Sequence, residues 1–240
     1  MEYIDALVKI GAGSAHPGGF STTLKQLRSY PLPPNSRILE IGCGTGKTAC
    51  YLAAQGHRVS AIDIHDRMIE KAIQRSSNDK VTVDFAVGNA TNLPFEANSF
   101  DIVMAESVLN FTDVRSSLAE CFRVLCDGGV LYAREILSSP ELPDDAAREL
   151  GTFFGLKQIM SSDQWLEALQ KIGYSNAELL ECEKFRLAPP EEEAEHNDMF
   201  KYQDSDTLTD LSVWQTLLRH DDLLFDNSKY LYNGLIRATR

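Results

Sequence analysis

Cationic residues are scarce in this chain. Lysine and arginine number 23 against 35 aspartates and glutamates, a formal net charge of −12 over 240 residues. The phosphate backbone of nucleic acid and an anionic membrane face both reward lysine and arginine, so neither DNA nor a membrane is expected as a partner. A base or nucleoside as a small ligand stays open. Long hydrophobic runs are also missing, and none approaches the roughly 18 residues that a membrane helix needs. The opening residues, Met1-Glu2-Tyr3-Ile4-Asp5, lack the basic-then-apolar order of a signal peptide. Cysteine is sparse and odd in number, 5 in all, and mostly set within apolar patterns. Free thiols in a reducing cytoplasm are therefore expected, not a disulfide framework. Cys121 and Cys126 have no histidine or second cysteine pair beside them, so no metal is expected. Internal repeats and low-complexity linkers are absent too.

What is present is a core. Hydrophobic residues make up 43% of the chain, enough for one α/β domain with decoration. Residues 1–35 read as an appendage: a short helix over 1–10, an irregular stretch Gly11–Phe20 holding Ala15-His16-Pro17-Gly18-Gly19, then a helix over Thr22–Tyr30 ended by prolines. From residue 36 strands and helices alternate. Strands are expected at Arg37–Ile41, Arg58–Ile64, Val81–Val87, Phe100–Ala105 and Val130–Ile136, the last entered through an Asp127-Gly128-Gly129 turn. Helices are expected at Gly46–Gln55, Asp66–Ser76 and Val114–Cys126. Further on, Ser161–Ile172 and Leu208–Leu218 have helical spacing, and Ala177–Leu187 and Tyr230–Ala238 read as strands. The run Glu191–Glu195 reads as solvated. Short continuous apolar strands alternating with amphipathic helices predict a doubly wound, mostly parallel sheet with helices on both faces. Ligands in such sheets bind beyond the carboxyl ends of the strands, where the strand order reverses.

The most informative stretch is Ile38-Leu39-Glu40-Ile41-Gly42-Cys43-Gly44-Thr45-Gly46-Lys47-Thr48. A buried strand stops in a turn of alternating glycines and a helix begins at once, so a ligand can lie against bare main chain. A phosphate-binding loop needs a glycine five residues before Gly46, and that position is Ile41. The dinucleotide pattern Gly-x-Gly-x-x-Gly also fails, because the third glycine comes one residue early.

Glu40-x-Gly42-x-Gly44-x-Gly46 instead resembles the first motif of class I S-adenosylmethionine-dependent methyltransferases. Val59-Ser60-Ala61-Ile62-Asp63 looks like the family's second strand with its terminal acid, and Gly88-Asn89-Ala90-Thr91-Asn92-Leu93-Pro94-Phe95 like a loop of its small-molecule branch. Phe100-Asp101-Ile102-Val103 and Arg123-Val124-Leu125-Cys126-Asp127-Gly128-Gly129 resemble the fourth strand and the turn before the fifth. The resemblance covers residues 36–137. It implies a Rossmann-like seven-stranded sheet, with segments 140–160 and 188–226 as lid insertions, and S-adenosylmethionine as cofactor with S-adenosylhomocysteine as product. Gly42, Cys43, Gly44 and Gly46 would then bring main chain against the methionine part. Glu40 would brace the turn or approach the ammonium, with a carbonyl from Ala105 or Glu106 alongside. Asp63 would grip the ribose hydroxyls, Ile64 and Met68 would sandwich the adenine, and Asn89 and Ala90 would meet its edge. At Asn89 the chain departs from the family's commoner aspartate.

A sulfonium is already a good leaving group, so the protein's main task would be alignment. A base is needed only if the acceptor must lose a proton. His16 and Glu106 are the candidates, Glu135 a lesser one, and His16 and Asn110 are the candidate acceptor contacts. His57, His65, His196 and His220 lack companions that suggest chemistry. Methylators of exocyclic DNA amines carry Asp/Asn-Pro-Pro-Tyr after the fourth strand, where this chain has Ala105-Glu106-Ser107-Val108, and no Pro-Cys pair for cytosine chemistry occurs. The expected acceptor is a small molecule. The alternatives are a cofactor-binding protein without turnover, a nicotinamide-dependent reductase, and a methyltransferase for protein or RNA.

Overall fold

A computed structural model describes residues 1–186 and 201–240. The Glu191–Glu195 run, His196 and part of the 188–226 segment lie outside the described residues. Seven strands form one sheet in the order β3-β2-β1-β4-β5-β7-β6: β1 Arg37–Ile41, β2 Arg58–Asp63, β3 Asp84–Val87, β4 Phe100–Glu106, β5 Leu125–Ser138, β6 Ser175–Lys184 and β7 Leu231–Thr239. All pairs are parallel except β5–β7 and β6–β7. The strand order reverses between β1 and β4, which puts the ligand crevice of a doubly wound sheet there. The expected fold is the one observed.

Alternation explains the layers. Leu39, Ile41, Val103, Ala105, Leu131 and Ala133 belong to one buried cluster, filled from α5 (Val114–Val124) by Leu118 and from α7 (Ser162–Ile172) by Trp165 and Leu169. Their neighbours Ile38, Val59, Ala61, Ile102 and Met104 face the other way, onto Ala49 and Leu52 of α3 (Lys47–Ala54) and Ile69 of α4 (Asp66–Asp79). Both faces of these strands are apolar because both are covered.

A third cluster lies outside this frame. Tyr3 from α1 (Tyr3–Ile10), Leu150 and Phe154 from α6 (Asp144–Phe154), and Leu223 and Leu224 from α8 (Leu211–Asn227) pack together with Phe185 and Leu231. The two ends of the chain and the 144–154 segment thus share one cap. Among the described residues the remaining α-helix, α2 (Gly19–Ser29), packs Leu27 on the second cluster.

Some boundaries differ from expectation for local reasons. β3 starts at Asp84, not Val81, because it pairs only with Ser60–Asp63 of β2. β5 takes in the Asp127-Gly128-Gly129 stretch that reads as a turn, since Leu125 pairs with Phe100 and a register shift before Ile102 absorbs the glycines. α8 begins at Leu211, where the Asp210 carboxylate accepts from the Ser212 N–H at 3.0 Å, and runs on to Asn227. Ser161 and Gln164 form a reciprocal capping box at the start of α7.

Candidate functional site

The glycine turn is tied to the strand beside it. The N–H groups of Gly42 and Cys43 both donate to the Ile62 carbonyl, at 2.8 and 2.9 Å. Gly42, Gly44 and Gly46 all have positive φ, at 69°, 52° and 72°. A Cβ on Gly42 would lie 2.3 Å from Val108 Cγ2, and one on Gly46 would lie 2.9 Å from both Ala72 and Phe85. Neither conformation nor space admits a side chain at these two positions. Gly46 opens α3, and the Cys43 thiol is buried, which pushes its pKa well up.

Asp63, at the end of β2, fixes this turn. Its Oδ2 accepts from the Gly44 N–H and its Oδ1 from the His65 N–H, both at 2.9 Å. One carboxylate therefore joins the glycine turn to the start of α4. Beside it stand two exposed apolar side chains, Ile64 at 63% and Val87 at 55% exposure, at the carboxyl ends of β2 and β3. Met68 is buried, so the structure sets Ile64 on the open shelf and Met68 in the packing beneath. Asn89 is exposed, and its Oδ1 already accepts from the N–H and hydroxyl of Thr91, at 2.9 Å each. Ala90 is buried in the first cluster.

Glu40 is buried, and its Oε2 has no hydrogen-bond partner among the described residues. Burial pushes its carboxyl well above the usual range, nearby Glu106 adds to this, and a bond from the Ala49 N–H opposes it. The Glu106 carboxylate, at the end of β4, gathers three elements: it accepts from Thr23 of α2 at 2.6 Å and from Thr48 of α3 at 3.1 Å, and His16 Nε2 stands 3.6 Å away. His16 Nε2 also lies 3.1 Å from the Thr23 hydroxyl oxygen. That hydroxyl spends its only proton on Glu106, so the His16 contact requires the proton on Nε2. Burial lowers the pKa of His16, with Glu106 opposing, which fits a neutral ring. The two separate base candidates of the sequence, His16 and Glu106, are thus brought together in one chain of hydrogen bonds.

Asn110 sits elsewhere, in a single 3-10 turn, Leu109–Phe111, after β4. It is buried, donates to the Ile136 carbonyl at 2.8 Å, and leaves its Oδ1 unpartnered among the described residues. Glu135 shares this neighbourhood, and burial pushes it up to about 7 despite N–H bonds from Leu109 and Val108.

Several residues escaped the sequence reading. Arg75 of α4 is buried and donates to the carbonyl and hydroxyl of Thr45 at 2.7 and 3.0 Å, while its guanidinium lies 4.5 Å from the Tyr202 ring centroid. Arg134 is 1% exposed in β5 and donates to Gln26 of α2 at 3.1 Å and Glu181 of β6 at 3.2 Å. The loop after α1 lies on the glycine turn: a Cβ on Gly44 would stand 3.0 Å from the Ala12 carbonyl oxygen. The cap is pinned down by ions. Lys9 pairs with Asp206 and Asp210 at 2.7 and 2.6 Å, and Asp204 pairs with Lys71 of α4 at 3.0 Å and with Arg67. Among the described residues no His, Cys, Asp and Glu cluster suits a metal ion, and no helix is long and apolar enough to cross a membrane.

A shelf beside a carboxylate and a glycine turn, next to a buried acid whose Oε2 has no partner among the described residues, suits a nucleoside that carries an amino-acid tail. Residues 39–133 match the family model of a methyltransferase domain. A Bacillus subtilis protein described as the uncharacterized methyltransferase YodH is 30% identical over 229 residues, covering 95% of this chain and 95% of its own. Phosphoethanolamine N-methyltransferase 1 of Zea mays is 30% identical over 137 residues, 56% of this chain and 27% of its own. Among solved structures, phosphoethanolamine N-methyltransferase 2 of Haemonchus contortus, in complex with phosphomonomethylethanolamine and S-adenosylhomocysteine, superposes with a TM-score of 0.75 at 21% identity. The match covers 99% of this chain and 56% of that one.

Proposed function

The chain belongs to the class I S-adenosylmethionine-dependent methyltransferases, and from that premise we propose that its methyl acceptor is a small molecule, enclosed between the ends of β4 and β5 and the cap. The observation that carries this reading is that, among the described residues, the hydrogen-bonded chain of buried His16, buried Thr23 and the largely covered Glu106 carboxylate lies over the end of β4. The bound cofactor supplies an electrophilic methyl group on a sulfonium. The residues supply the rest.

Gly42 and Gly44 offer main chain to the amino-acid tail, and Gly46 keeps the start of α3 close. Glu40, with its free Oε2, and the neighbouring Glu106 face the ammonium. The lone pairs of Asp63 not used by Gly44 and His65 accept from the ribose hydroxyls. Ile64 covers one adenine face, Met68 packs behind it, and Asn89 with the Ala90 N–H meets the ring edge. Admission of the donor requires the loop carrying Ala12 to lift from Gly44. Residues 1–35, 140–160 and the described part of 188–226, residues 201–226, serve as the lid over a methyltransferase domain of residues 36–240. Asn110 contacts the acceptor. His16 closes over it and, for an acceptor that must lose a proton, passes that proton through Thr23 towards Glu106. Holding nucleophile, methyl carbon and sulfur in line is the main catalytic device, worth orders of magnitude in rate. Five free thiols fit a reducing cytoplasm.

A screen for transfer of labelled methyl from S-adenosylmethionine into a metabolite extract tests the acceptor class. Label in small molecules that depends on His16 supports it, and label found only in protein or RNA defeats it. Asp63→Ala should weaken donor binding by about 10-fold or more, near 1.4 kcal/mol. An unchanged dissociation constant in calorimetry removes Asp63 from the ribose.

A further inference from the structure

β5 carries a misfit. Ala133 and Leu137 face the first cluster and are buried with it, and Glu135 stands between them on the same face, 0% exposed. A carboxylate in an apolar row loses its hydration and is kept only where something else needs it. What needs it here is the chain just after β4. Ser107 takes a left-handed conformation, φ 56°, unusual for a residue with a side chain. The N–H groups of Val108 and Leu109 then point away from any strand partner, and both donate to Glu135 Oε1, at 3.0 and 2.8 Å. The Ser107 N–H donates to the Arg134 carbonyl at 2.6 Å. The same turn presses Val108 against Gly42, so closely that a Cβ there would lie 2.3 Å from Val108 Cγ2. Two N–H bonds to one oxygen of the neighbouring strand thus set one wall of the glycine cradle.

We propose that Glu135 is a positioning residue for the methyl donor: by holding the N–H groups of Val108 and Leu109, it fixes the Val108 side chain against the Gly42 main chain and so shapes the space for the donor's amino-acid end. The inference rests on the reading of the glycine turn as the donor cradle. Glu135 itself touches neither donor nor acceptor. Its contribution is the shape of the turn, so an oxygen that accepts two N–H bonds is what the position requires, and charge is secondary.

Calorimetric titration of the full chain with S-adenosylhomocysteine tests this, beside thermal melting of each variant. Glu135→Gln keeps an acceptor oxygen at the same reach and should bind within threefold of the wild type. Glu135→Ala should bind at least tenfold more weakly. Val108→Ala combined with Glu135→Ala should weaken binding by clearly less than the product of the two single effects, because the second change removes what the first has already displaced. Should the alanine variant fail to fold, Glu135→Asp replaces it: one methylene shorter, it keeps charge and loses reach, and should bind more weakly than Glu135→Gln. The proposal falls if Glu135→Ala binds as the wild type does, if the double variant is multiplicative, or if Asp preserves binding where Gln loses it. Wild-type protein that does not bind the ligand at all overturns the cradle reading instead, so the two failures are distinguishable.

Discussion

The donor half and the cap are built by opposite means. In the donor half, the features come from two neighbouring strands: a strand running straight into three glycines with positive φ, and an acid at the end of the adjacent strand, 19 residues on from Gly44, that bonds back to the turn. Backbone conformation and main-chain hydrogen bonds define it. The cap is assembled from residues 3–10, 144–154 and 211–227, held by side chains such as Tyr3, Phe154 and Leu223 and by the Lys9 and Asp204 ion pairs. Local geometry constrains the first tightly, while the second depends on packing between distant segments, which tolerates hydrophobic exchange. Such a difference suits a donor shared by a whole family beside acceptors that vary from member to member.

The cap should be the easier half to loosen without harming the other. Phe154 is buried, with edge-on ring contacts to Tyr3 at 4.8 Å and to Phe153 at 4.9 Å. Phe154→Ala should cost about 3–5 kcal/mol of stability by leaving a cavity, read in urea unfolding, while donor affinity stays within threefold. Loss of donor binding in parallel would mean that the two halves form one cooperative unit. Gly42→Ala is the reciprocal change. A Cβ there meets Val108 and a φ of 69°, which together should cost about 2–3 kcal/mol, and donor binding should fall by about 100-fold. Gly56→Ala serves as the control, since its φ is 89° but nothing lies within 4 Å of a new Cβ. It should lose about 1 kcal/mol and keep its donor affinity.

That contrast also explains what could be read from the residues alone. Glycine spacing and a strand-terminal acid reflect chemistry with few alternatives, so Gly42, Gly44, Gly46 and Asp63 stood out in the chain. The sheet was legible because its apolar strands had to be covered on both faces. Arg134 was not, and Glu135 stood out only as a lesser base candidate: one side chain ties α2 to β6, the other bonds the turn after β4, and a charged residue within a strand looks the same whether it meets water or a buried partner. The assembly of the cap was also hidden, since amphipathic spacing tells which face of a helix is buried but not what buries it.

The strap holding the cap to α4 should contribute less than either core. Asp204 pairs with Lys71 and Arg67 at partial exposure, so Asp204→Asn should lose about 0.5–1 kcal/mol at low salt, and high salt should erase the difference. A salt-independent loss would point to packing of Asp204 in place of charge.

The smallest effect, and the sharpest on how the two halves meet, concerns His16. Its folded pKa lies below the ordinary 6.5 because the ring is buried, although Glu106 pulls the other way. The unfolded chain therefore binds a proton first as the solution is acidified. The His16 contribution to stability is complete above about pH 6.5 and is lost as pH falls towards the folded value. His16→Gln carries no such linkage. The melting-temperature gap between wild type and His16→Gln should thus be widest near pH 7.5 and narrow by pH 5.5. Glu135, raised to about 7, makes both proteins less stable as pH rises from the ordinary carboxylate range to neutrality, but it is common to both and cancels in the difference. A gap that widens on acidification would mean that His16 is held as a cation against Glu106. The link between N-terminal segment and donor half would then be an ion pair, and a proton route through a neutral ring would be lost.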